Sequence, residues 1–203
     1  MEKFEINGEG QVASQKVNEP VQPGVYDVEV RNAFIYTNDN GNKFVQFEFS
    51  IPSLDDRQLF VSSFVAKPDG TQTYERNGKK FYYKGLQDLI YALLVTTGKD
   101  NIEGETEYVE FFDKKIQAFV IKPLIGKKLK IGVRHEESFY NGKFKVKPVV
   151  AYWMSLDGEN ENGENIEEKV IKNIQKNPVK EAANKGAATP AKPGNTEVPK
   201  GFA

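Results

Sequence analysis

The chain has 203 residues, a formal net charge of −1 and no cysteine. That length suffices for one ordinary core plus extensions, and the missing thiols exclude disulfides, zinc–thiolate sites and thiol nucleophiles. No apolar run approaches a membrane span, and the polar, acidic start is unlike a secretory signal.

Residues 1–19 hold little apolar material and are read as a flexible N-terminal arm. The first strand opens after Pro23-Gly24: in Val25–Tyr36, Asp27, Glu29 and Arg31 alternate with Tyr26, Val28 and Val30. Residues 37–42 are dense in turn formers that tolerate positive φ. Strand two, Lys43–Ile51, sets Val45, Phe47, Phe49 and Ile51 on one face and Phe44, Gln46, Glu48 and Ser50 on the other; Pro52 ends it. In strand three, Arg57–Lys67, Leu59, Val61, Ser63 and Val65 share a face, and Phe60, Ser62 and Phe64 share the opposite one. A small hairpin is expected around Asn77-Gly78, between 71–76 and 79–83.

Leu86, Leu89, Ile90, Leu93 and Leu94 then form an apolar helical stripe, with Gly98 at the C-cap position. Residues 99–113 are acidic, and 107–121 read equally as a short helix or an extra strand. The carboxylates of 103–113 lack the spacing of a calcium loop. Strand four is expected over Lys127–Glu136 with Leu129, Ile131 and Val133 inward, and residues 135–142 are expected to make the connecting loop. Strand five follows over Lys143–Ser155, with Phe144, Val146, Val150 and Tyr152 on one face. Beyond Ser155 the composition turns acidic over 157–168. A short helix is expected over 165–176, and residues 179–203 have little to bury.

Three strands, a helix and a closing hairpin are the order of a mainly β, five-stranded OB-type Greek-key barrel over residues 20–155, with one helix between strands three and four and a flexible tail over 156–203. Catalytic equipment is not evident. His135 is the single histidine, no carboxylate pair has acid–base spacing, and no glycine-rich phosphate loop precedes a helix. Neither an enzyme nor a cofactor nor a metal site is expected.

Alternation instead turns rings and cations outward. Single-stranded nucleic acid is held by flat side chains that stack on bases and cations that track phosphates. The candidate contacts are Phe44, Phe60, Phe64, Arg76, Tyr82, Lys128, Lys130, Arg134, Tyr140, Lys143, Lys145 and Trp153. A plainer reading of the lysines is a charged edge that blocks strand-to-strand aggregation. Phe60 and Phe64 read alternatively as packing beneath the helix or the 71–83 hairpin, Tyr82 as that hairpin's anchor to the barrel, and Trp153 as half-buried at the barrel seam.

The segments Pro23-Gly24-Val25-Tyr26, Lys43–Ile51, Leu86–Gly98 and Ile125-Gly126-Lys127-Lys128-Leu129 through Trp153 resemble phage-encoded OB-fold single-stranded DNA-binding proteins, over roughly residues 20–155. The resemblance implies sequence-tolerant coating of single-stranded DNA in phage replication, recombination or repair, in the cytoplasm of an infected bacterium. It also implies recruitment of replication or recombination proteins through an acidic C-terminal tail. Here the acids lie at 157–168, and the last residues, through Phe202, are not acidic. The competing expectation is a non-catalytic interaction or structural module of a virus. Membrane association is not expected.

Overall fold

The computed structural model describes residues 20–140 and 143–181, with residues 139, 140, 143 and 144 described by their backbone alone. The expected arm at 1–19, the turn pair Asn141-Gly142 and the tail beyond 181 lie outside the described residues.

Strands β1 (Gly24–Thr37), β2 (Lys43–Ile51) and β3 (Arg57–Ala66) form an antiparallel meander. Strict alternation in β2 and β3 sends Phe47, Phe49, Ile51, Leu59, Val61 and Val65 into the core. The β1–β2 turn is fixed by Asn38, whose Oδ1 accepts the N–H groups of Asn40 and Asn42 at 3.1 and 3.0 Å. Strands β4 (Thr73–Arg76) and β5 (Lys79–Tyr82) are the expected small hairpin. Its Asn77-Gly78 turn has both φ angles positive, at 53° and 71°, which matches the right-handed twist of the flanking strands.

Helix α1 (Lys84–Thr97) buries Leu86, Leu89, Ala92 and Leu93. Gly98 closes it in the left-handed region, its N–H returning to the Leu94 carbonyl. Near the other end Gly85 lies so close to β3 that a Cβ there would come within 2.5 Å of the Ser63 carbonyl oxygen. Glycine is what allows the helix to sit down on the strand.

Residues 99–121, ambiguous in the sequence, carry a second hairpin: β6 (Glu105–Phe111) and β7 (Lys114–Val120). Its turn uses Phe112 and Asp113 in the left-handed region, at φ 48° and 60°. Val120 and Phe119 of β7 pair with Phe34 and Ile35 of β1, so the hairpin extends the sheet.

Strands β8 (Lys128–Tyr140) and β9 (Lys143–Met154) form the long hairpin. Residues 135–140 were expected in a loop and are strand instead, paired across to 143–148. With Tyr140 paired to Lys143, the ladder takes up the residues expected to form a longer connection. The alternation expected in β9 also fails. Gly132 opposes Tyr152, but Val133 opposes Val150, so Ala151 is bulged out of register. One extra residue flips every side chain beyond it. Val150 and Trp153 therefore both enter the core, while Tyr152 and Met154 turn to the other face.

That second face is covered by α2 (Glu167–Lys176), whose Val170 and Ile174 are buried against Met154, Val25 and Tyr152. Strand β10 (Val179–Lys180) then pairs in parallel with β8 at His135 and Glu136. The helix expected within a tail is part of the folded body, and order extends well past residue 155.

The sheet runs β10–β8–β1–β2–β3, with β9 on the free side of β8 and the β6–β7 hairpin on β1. It is mainly antiparallel and does not close: β3 and β9 share no ladder. Across that gap lies α1. Asp88, 4% exposed, accepts from Ser63 Oγ of β3 at 3.0 Å and from Trp153 Nε1 of β9 at 3.1 Å. Lys84 ties to the same carboxylate at 2.6 Å and donates to the Val150 carbonyl at 3.0 Å. Polar side chains on one helix thus hold together two strand edges that no backbone ladder joins. No described helix is long and apolar enough to cross a membrane.

Candidate nucleic-acid interface

The outward residues of β2 and β3 meet in register. Phe44 opposes Phe64, Gln46 opposes Ser62 and Glu48 opposes Phe60. On the other side of β2, Tyr36 of β1 opposes Phe44. These pairs seed a row of rings that crosses the strands. Phe112 touches Phe111 (centroids 4.5 Å apart), Phe111 touches Tyr36 (4.8 Å), Tyr36 stacks on Phe44 (5.8 Å) and Phe44 meets Phe64 edge-on (5.5 Å). The row continues from Phe64 to Tyr83 (4.6 Å), from Tyr83 to Tyr74 (5.7 Å) and from Tyr74 to Phe81 (5.8 Å). Phe34, fully buried, supports it from beneath through Phe111 at 5.7 Å. Each inner ring is half-buried against the next, while Tyr74, Phe81 and Phe112 at the ends are exposed. Offset and edge-to-face contacts of this kind hold rings in fixed orientations.

Phe60 stands apart from the row, half exposed, between two grooves. One, about 380 Å³, runs between β3 and β9 and is lined by Phe60, Phe64, Lys84, Glu136 and Lys147. The other, about 830 Å³, lies between the sheet and the β6–β7 hairpin; its lining carries four carboxylates (Glu48, Glu107, Glu110, Asp113) against Arg31 and Lys122. Lys122 already pairs with Glu107 at 2.5 Å. Burial pushes the Glu48 carboxyl above its usual range, partly offset by a hydrogen bond from the Asn32 side chain. A polyanion is therefore favoured in the smaller groove and opposed in the larger.

Of the expected contacts, Phe44, Phe60 and Phe64 share this outer face, and Arg76 and Tyr82 are exposed on the adjoining β4–β5 hairpin. Lys145 is exposed on β9, two residues from Lys147 in the groove. The side chains of Tyr140 and Lys143 lie outside the described residues. Others are placed elsewhere. Lys130 is engaged by Glu167 of α2 at 2.7 Å, a contact that holds its ammonium pKa above the usual lysine value. Lys128 stands opposite Glu29 of β1, whereas Arg134, half-buried, stands opposite Val149, which lines the smaller groove. Trp153, expected outward, is a correction: it is 5% exposed and packs on Phe47 and Phe49 at centroid distances of 4.9 and 5.9 Å. The bulge at Ala151 is the reason.

Sequence reasoning missed Tyr36, Phe111 and Phe112 as members of the row. Tyr36 was within reach, because pairing across the 37–42 turn sets it beside Phe44. Phe111 was not, because its strand was unassigned. Compared with known proteins, the chain matches no family model and no curated protein sequence.

Proposed function

We propose that this protein binds single-stranded DNA in a sequence-tolerant way, as a non-catalytic phage protein of DNA replication, recombination or repair. Its body is then an OB-type barrel in which α1, through Asp88, takes the place of the final ladder between the third and fifth barrel strands. The observation that carries the reading is the ring row. It runs across the strands on one face, the direction in which a chain of bases would lie, and a cation-bearing groove opens beside it at Phe60 and Phe64. Stacking contributes ~1–3 kcal/mol per base, so two or three engaged rings give useful affinity before phosphate contacts are added.

The test is a titration of labelled oligo-dT followed by fluorescence anisotropy over a series of salt concentrations. Binding that weakens as salt rises, accompanied by tyrosine quenching, is the expected outcome. No binding, or binding indifferent to salt, overturns the proposal.

A further inference from the structure

Among the described residues β3, β6, β9 and the short strands β4, β5 and β10 each lack a ladder on one side. Of these, β6 pairs only with β7, and β9 pairs only with β8. Unpaired edges offer rows of N–H and C=O groups to another chain. The side chains of β6 and β9 differ in sign. Along β6, Glu105 and Glu107 alternate with Thr106 and Tyr108; along β9, Lys145 and Lys147 flank Val146. With a period of two, Glu105 and Glu107 share one face of β6 with Val109 and Phe111, Thr106 and Tyr108 share the other with Glu110, and on β9 Lys145 and Lys147 lie on the face opposite Val146. The β6 edge also borders the larger groove, which gathers Phe60, Tyr108, Phe112 and Ile125, all at least 40% exposed; Val146 is 48% exposed. The groove's carboxylates select a cationic occupant.

We infer that the occupant is a second copy of this chain, whose β9 edge adds to the β6 edge beside the groove, setting Lys145 and Lys147 along Glu105 and Glu107 and Val146 beside Tyr108. The charges discriminate among pairings. A β9–β9 contact would set lysines against lysines, a β6–β6 contact carboxylates against carboxylates, and both are disfavoured. Only the unlike pairing is attractive. It joins two different surfaces, so the contact is head-to-tail and propagates from copy to copy unless a ring closes. The edge lysines thus prevent indiscriminate pairing of β9 while matching one acidic partner edge.

Sedimentation velocity of the full chain without nucleic acid tests this, and its outcome is read separately from the DNA titration. Association should rise with protein concentration and fall with salt. The double variants Lys145→Glu/Lys147→Glu and Glu105→Lys/Glu107→Lys should each sediment as monomers, and an equimolar mixture should associate again. Protein that stays monomeric at every concentration, or association that survives both charge reversals, overturns the inference. Should a charge reversal unfold the chain, cross-linking gives the same decision. The chain has no cysteine, so Tyr108→Cys mixed with Val146→Cys should yield a mixed disulfide dimer in preference to either homodimer. Equal yields of all three dimers would refute the pairing.

Discussion

The indole N–H of Trp153 is bonded to Asp88 across 3.1 Å, from β9 to α1, at the place where the sheet stays open. Ser63 reaches the same carboxylate from β3, so a single acid joins both sides of the opening. Hydrogen bonds to a buried charge are worth more than neutral ones, and removing the acceptor leaves two donors and the Lys84 ammonium without it. Asp88→Ala should cost about 3 kcal/mol. Urea unfolding measures the loss, and Trp153 emission in the folded variant should shift to the red as water reaches the seam.

Gly85→Ala attacks the same seam sterically. The added methyl would approach the Ser63 and Phe64 carbonyl oxygens to 2.5 and 2.7 Å. Backbone atoms cannot step aside cheaply, so α1 must lift from β3. The expected cost is ~1–3 kcal/mol, despite alanine's better helix propensity. A thermal midpoint equal to that of the parent would contradict this packing.

Phe60 and Lys147 line one groove but should fail in different ways. Phe60→Ala removes a stacking surface and should weaken oligo-dT binding by ~1–3 kcal/mol at every salt concentration. Lys147→Ala removes a phosphate partner and should reduce the slope of log K against log salt by about 0.7. Anisotropy titrations over a salt series separate the two. Identical salt slopes for parent and Lys147→Ala would remove this lysine from the phosphate path.

Glu48 carries a pH signature. Burial raises its carboxyl pKa in the folded state above that of the unfolded chain. Folding therefore disfavours the ionised form, and the penalty is present above the folded pKa and disappears as pH falls below the unfolded value. Glu48→Gln should stabilise the protein at neutral pH by ~0.5 kcal/mol, an advantage that shrinks through the acidic carboxylate range. Melting curves of parent and variant at several pH values measure it; an advantage that grew on acidification would reverse the assignment.

What could be read in the sequence followed from short-range rules. The faces of β2 and β3, the Asn77-Gly78 turn and the Gly98 cap were legible because alternation and φ preference are local. The β6–β7 hairpin was obscured because its turn uses Phe112, a residue that seldom adopts positive φ, in place of glycine or asparagine. Ala151 gave no hint of a bulge, and that single residue moved Trp153 from the expected binding surface into the core. Lys130 was lost from the site for a tertiary reason: Glu167 arrives from a helix whose docking the local composition did not reveal. A chain cut after Ser155 would accordingly lose the cover over Met154 and Val25 as well as the acidic segment, and would be a poor probe of that segment alone.

Strand β1 bonds to β2 along one side and to both β7 and β8 along the other; Gly24 meets Val133, and Phe34 meets Val120. An early-synthesised strand must therefore wait for partners made far later. While it waits on the ribosome, the peptide groups destined for β7 and β8 stay solvated and its oily side lacks a lid. Such distant closure makes for sluggish folding, and the growing polypeptide is most exposed to chaperones and proteases in the interval before β8 emerges.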